Sequence, residues 1–202
     1  MIFDFPKRQV FILLCLISLA LLFVKKSMIE NETTAFYFLD GTPQGSWLQV
    51  RSILQYLSIP IIYVLKFTSW GMVLWMGCFV FSCRVTFAQC WGLVLVAEFV
   101  FIVAESIKIF WFLIIQTDPT IFEVSAYYPF SILQIFDYQN ISKQYHYPLK
   151  ALNLFEIVNW YILALGIKHF TKRNVNTANI VIFAFYVPIF LVWLLFYVFV
   201  YK

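Results

Sequence analysis

Long apolar runs separated by short charged punctuation dominate this chain. Five of them approach or reach membrane-spanning length: 10–24, about 67–83, about 87–115, 152–170 and 178–200. A bilayer hydrocarbon core about 30 Å thick is crossed by about 20 apolar helical residues. The runs do not alternate apolar with polar, and helices alone satisfy their own backbone groups in hydrocarbon without closing a barrel. The predicted fold class is therefore all-α, an integral membrane helical bundle of about five transmembrane helices with interfacial helices, in a single transmembrane domain over 1–202. The first run follows Lys7 and Arg8 as a signal peptide would, but Lys25 and Lys26 close it with no small-residue cleavage site after them. It reads as a retained span, extended by snorkelling lysines.

Two segments between the runs are predicted to be ordered. Residues 47–65 mix Gln49, Arg51, Ser52 and Gln55 with apolar neighbours. They read either as an amphipathic helix lying in the interface or as the first part of one long helix kinked at Pro60. A sixth independent span ranks third, because too few residues around Lys66 remain for a turn. Residues 116–150 form an aromatic, proline-containing loop cap, too long for a plain connection. Within it, Pro129 followed by Phe130, Ile132, Leu133 and Phe136 predicts a short helix with proline in its first turn.

With five spans, this cap and the loop from Lys25 to Gln49 share one side of the membrane. Basic residues divide six against six between the two sides. The tight turns at Arg84 and at Lys168 to Arg173 favour a cytoplasmic N-terminus.

Composition narrows the function classes. Hydrophobic residues make up 63%, charged residues 12% and aromatics 21%, a balance that a soluble domain of 202 residues could not hide in one core. The expected surroundings are the lipid bilayer and other integral membrane proteins. The net charge of +4 is scattered over short segments, which excludes a nucleic-acid partner. The four cysteines sit in or beside apolar runs, and His146 and His169 stand far apart in sequence, so neither a metal site nor a cofactor is expected. No nucleophile-elbow, zinc-protease, Walker or Rossmann pattern is present.

Candidate chemistry lies in charges within the apolar runs, which are costly in hydrocarbon unless matched. Glu98 and Glu105 are seven residues apart and share a helix face, and Lys108 is placed to pair with Glu105. Glu98 has no base within one turn, so it is expected to be protonated or matched by another helix or another chain. Glu156 follows Asn153 by three, the spacing of a capping box. Asn159 and Trp160 continue that face and are candidates for bonds across helices. Glu98, Glu105, Lys108, Glu156 and Asn159 thus form the candidate intramembrane polar set.

From Arg51 onward the chain resembles the Yip family of small polytopic membrane proteins, in particular its bacterial members. The resemblance rests on Val85-Thr86-Phe87-Ala88-Gln89, on Pro148-Leu149-Lys150-Ala151-Leu152-Asn153-Leu154-Phe155-Glu156 leading to Ala164-Leu165-Gly166-Ile167, and on Tyr128-Pro129-Phe130-Ser131-Ile132-Leu133. It implies a compact five-span bundle in a bacterial inner (cytoplasmic) membrane, associated with other membrane proteins and with no catalytic residue to carry over. The leading functional expectation is a non-enzymatic accessory subunit or scaffold of a larger membrane assembly, because polar groups on the third run need partners and the aromatic cap offers a docking surface. The alternatives are a small permease or ion-coupled transporter component using Glu98 and Glu105, and a lipid-modifying membrane enzyme.

Overall fold

A computed structural model describes residues 6–27, 43–116, 121–138, 140–171 and 175–201. Helices account for almost all of them, and no strand occurs among the described residues. In chain order they are α1 (Lys7–Lys25), α2 (Pro43–Val80), α3 (Phe87–Ala97), α4 (Phe99–Ile114), α5 (Ile121–Ala126), α6 (Lys143–Ala151), α7 (Leu154–Thr171), α8 (Val175–Val181) and α9 (Val187–Val200). Three stretches are long and apolar enough to cross a membrane: Lys7–Lys25, Ile53–Val80 and Thr177–Val200.

Of the two leading readings of 47–65, the continuous one holds. Helix α2 is a single element of 38 residues with Pro60 inside it, and Lys66 lies along its length instead of marking the start of a span. Ser82, at a positive φ of 54°, stops it. The Cys83 and Ser82 amides return to the carbonyls of Cys78 and Phe79 at 2.8 and 3.1 Å, so the last turn is closed by a left-handed cap. Helix α3 then begins with a capping box. The Gln89 amide donates to Thr86 Oγ1 at 3.3 Å, and the Thr86 amide donates to Gln89 Oε1 at 2.9 Å.

The predicted single helix over 87–115 runs through both α3 and α4. Between them Glu98 keeps helical dihedrals, φ −59° and ψ −27°, its amide donates to the Val94 carbonyl at 3.1 Å, and its carbonyl accepts from the Ile102 amide at 3.3 Å. The last run carries a local irregularity. A π-helical turn over Ile182–Tyr186 precedes Pro188, absorbing the register lost where proline lacks an amide donor.

The cap is more helical than a loop reading allows, since it contains α5 and α6. The expected helix starting at Pro129 is absent, and only a four-residue 3-10 turn forms, over Ile132–Ile135. Phe130 adopts a φ of 54°, and the backbone beside it is tied to the start of α7. The Ile132 amide donates to the Leu152 carbonyl at 3.0 Å, and the Leu154 amide donates to the Phe130 carbonyl at 3.2 Å. That extended clip outcompetes a helix. The early loop expected to share this side, Lys25 to Gln49, falls mostly outside the described residues.

The main core draws Leu14 from α1, Phe67, Leu74 and Cys78 from α2, Cys90, Leu93 and Leu95 from α3, Leu163 and Ile167 from α7, and Ala178 and Val181 from α8. Close approach depends on small residues. A Cβ on Gly166 would sit 2.1 Å from Leu93 Cδ2, and one on Gly71 would sit 3.2 Å from the Trp91 backbone. The outer surface is apolar too, as Phe79, Ile114 and Phe199 are 76%, 71% and 70% exposed. Such a belt suits a lipid or protein surround, not water.

Candidate functional site

Glu98 joins α3 to α4, and its side chain turns inward. Lys66 of α2 donates to Glu98 Oε1 at 2.7 Å, and the two side chains are 36% and 6% exposed. The ammonium also lies 4.8 Å from the centroid of the Phe101 ring. A bond at this distance between full charges is among the stronger kinds of hydrogen bond. The expected match from another helix is therefore made inside the chain.

Glu156 begins the polar face of α7. Its amide donates to Asn153 Oδ1 at 2.9 Å, the expected N-cap. Its carboxylate does not complete a capping box and instead accepts from Asn159 Nδ2 at 3.1 Å and Trp160 Nε1 at 3.0 Å. Asn159 and Trp160 thus bond to a residue of their own helix, and Asn159 also makes the expected bond across helices, to the Tyr186 side chain of the last run. Both donors converge on Oε1, and Glu156 itself lines a cavity.

The other charges of the third run find partners in other elements. Glu105 lies 3.8 Å from Lys25 at the end of α1, so the expected Glu105–Lys108 pair does not form. Lys108 is buried toward α5 and donates to the Val124 carbonyl at 2.6 Å. The two residues are three apart, but one faces α1 and the other α5, and these contacts decide the pairing. Lys26 is likewise turned inward rather than snorkelling, with its ammonium 5.0 Å from the Tyr56 ring centroid.

Glu98, Glu156 and Asn159 meet in one chamber of about 370 Å³ between the bundle and the cap, which Lys66, Trp70, Tyr186 and Phe190 also line. Tyr128, Tyr147, Lys150 and Asn153 border it from the cap side. A second cavity of about 310 Å³, between α1, α2 and α4, holds Ser18, Tyr63 and Glu105. The two share Glu98, Phe101 and Tyr128 as a common wall. The first is open to its surroundings on one side, and its charged and amide lining suits water or a polar ligand.

The cap residues feel this charge. Burial pushes the Tyr128 phenol above its ordinary range, and Glu105, Glu156 and Glu98 add to the rise. Burial pulls the Lys150 ammonium below its ordinary value, against the support of Glu105 and with a further push from Lys25. Lys150 Nζ makes one long bond, 3.3 Å to the Ser125 carbonyl, and lies 5.6 Å from the Tyr128 ring centroid.

Lys66, Lys150, Tyr128 and Tyr186 are absent from the predicted polar set. The one available signal was that Lys66 and Glu98, in separate apolar runs, both lacked a local partner. Among the described residues, no group of three or more His, Cys, Asp or Glu side chains is placed to hold a metal ion. No protein-family model, curated protein or solved structure matches this chain.

Proposed function

We propose that this chain is a five-span integral membrane protein whose bundle holds a binding site for a small polar solute, and that it acts as a small permease or ion-coupled transporter component. The observation that carries the proposal is the chamber around Lys66, Glu98, Glu156 and Asn159, charged on both signs and bordered by the cap. The leading expectation from sequence was an accessory subunit, on the ground that Glu98, Glu105 and Lys108 need partners. Lys66, Lys25 and the Val124 carbonyl supply those partners within the chain, so that ground is lost.

In this reading α1, α2, the continuous α3–α4 pair, α7 and the α8–α9 pair are the five spans. Helical rise puts Lys66 about 21 Å from the end of α2, Glu98 about 17 Å from the start of α3 and Asn159 about 18 Å from the end of α7. All three then lie at one level, somewhat past the middle of a core about 30 Å thick. Glu98 is the coupling residue, because among the carboxylates of the described residues it alone borders both cavities. Release of Lys66 by Glu98 on protonation would connect the two spaces electrostatically.

The test is reconstitution of the whole chain into liposomes loaded with a pH-sensitive dye. Amino acids, organic ammonium compounds and organic acids are then added outside. At least one class should produce a saturable internal pH change, and Glu98→Gln should abolish it while the protein still melts cooperatively. A chain that neither binds nor passes any of them contradicts the proposal. The second reading, an accessory subunit or scaffold, is favoured by the exposed cap residues Phe130, Ile135 and Phe136, at 64%, 79% and 51%. It predicts a stoichiometric membrane partner after mild-detergent purification, lost when Ile135 and Phe136 are made polar.

A further inference from the structure

The chamber lining carries a charge pattern that selects among solutes. Two cations, Lys66 and Lys150, face two anions, Glu98 and Glu156, so the wall is electrically balanced. A ligand with net charge would leave one charge uncompensated inside a space also walled by Trp70, Val94 and Phe190, which is costly. Lys66 and Glu98 already neutralise each other at 2.7 Å. The capacity that remains is of opposite sign at two places. Glu156, 8% exposed, lines the chamber with both of its bonds from Asn159 and Trp160 on Oε1, and Lys150 uses one of its three donors in the 3.3 Å bond.

The surroundings of Glu156 add a second, independent feature. Trp70 packs against Tyr186 and Phe190 with ring centroids 5.2 and 6.0 Å apart, and all three rings line the chamber beside Glu156. Rings grouped around a carboxylate are the chemistry that recognises ammonium groups, through their faces and the negative charge together. Chamber volume agrees, since about 370 Å³ is at the small end of ligand cavities.

We propose that the chamber binds an ammonium zwitterion, with the ammonium beside Glu156 against Trp70, Tyr186 and Phe190 and the carboxylate or phosphate at Lys150. This rests on the solute-site reading above and narrows its substrate class. The same chemistry is offered by a free solute and by the headgroup of a zwitterionic lipid.

The experiment uses the full chain in nanodiscs of phosphatidylglycerol, titrated with phosphocholine, glycine betaine, choline and citrate. Binding is followed by tryptophan fluorescence and by calorimetry. Phosphocholine or glycine betaine should bind saturably at one per chain. Glu156→Gln keeps an acceptor for Asn159 and Trp160, so it should leave melting unchanged while weakening the zwitterion at least about tenfold. Trp70→Leu should weaken it about fivefold. Lys150→Met should weaken phosphocholine and leave choline alone unaffected, a difference that a merely structural lysine would not produce. Repeating the titration in phosphatidylcholine nanodiscs separates the sources: an unchanged affinity assigns the site to a free solute, and competition by the lipid assigns it to a headgroup. Failure of both zwitterions to bind, or binding indifferent to Glu156→Gln and Lys150→Met, overturns the inference. If citrate or choline then binds with dependence on Glu98, the solute chamber stands and the zwitterion alone falls; if nothing binds, both fall.

Discussion

The half of the bundle nearer the Arg84 turn and the half nearer the cap are built by the same helices in opposite chemistry. From Phe67 toward Cys78 on α2, from Ala97 back toward Cys90 on α3 and from Leu163 toward Ile167 on α7, buried positions are apolar or small. One residue beyond that region on α2 and on α3 come Lys66 and Glu98, and on α7 the polar residues Asn159 and Glu156 precede Leu163. The change of chemistry therefore falls at one level across three helices. A through-pore would carry polar residues along its length. This arrangement is a chamber above a sealed floor, and it fits a site that fills from the cap side and opens further only if helices move.

The largest expected effect is a break in the floor. Phe67, fully buried, sits with its ring centroid 6.2, 5.3 and 5.8 Å from those of Phe11, Tyr63 and Trp91. Phe67→Ala should cost about 3–5 kcal/mol, seen as a large fall in the melting temperature of the purified protein. Tolerance of that change would mean the floor is not the stable half. An intermediate effect is expected at the level where the halves meet. Glu98→Leu strands the Lys66 ammonium and should cost about 1–3 kcal/mol, whereas Glu98→Gln keeps a hydrogen bond and should cost less than half as much in the same melt. Equal costs for the two would show that the ion pair contributes nothing beyond the shape of the side chain. The smallest effect belongs to the rim of the floor, where Thr86→Ala removes the capping box of α3 and should cost about 1 kcal/mol, leaving ligand binding unchanged in calorimetry.

Sequence reading reached the helical class, most helix boundaries, and the need of Glu98 for a match on another element. It missed the match itself for a specific reason. A lysine between apolar segments is read as the edge of a span, and Lys66 instead lies within a 38-residue helix with its charge turned to Glu98. Pairing of Glu105 with Lys108 was the natural local choice, and helix spacing permits it. Contacts with α1 and α5 decide otherwise, and such contacts depend on packing angles that one sequence does not print. Lys150 and Tyr128 lie in a segment read as a cap, 52 and 30 residues beyond Glu98, with nothing in their own spacing to place them at the chamber.

The sealed floor and the wet chamber can be measured together by thiol accessibility in the reconstituted protein. Cys78 and Cys90, each with no exposed surface, belong to the floor. Variants keeping one of them, and cysteine-free variants carrying Ala151→Cys or Tyr147→Cys in the chamber lining, are treated with a small water-soluble methanethiosulfonate reagent. Ala151→Cys and Tyr147→Cys should react at least about a hundredfold faster than Cys78 or Cys90, whose thiols stay protected until the protein is denatured. Comparable rates at all four positions would mean that water runs through the bundle, and protection at all four would mean that the chamber is not open to water; either result contradicts a one-sided site.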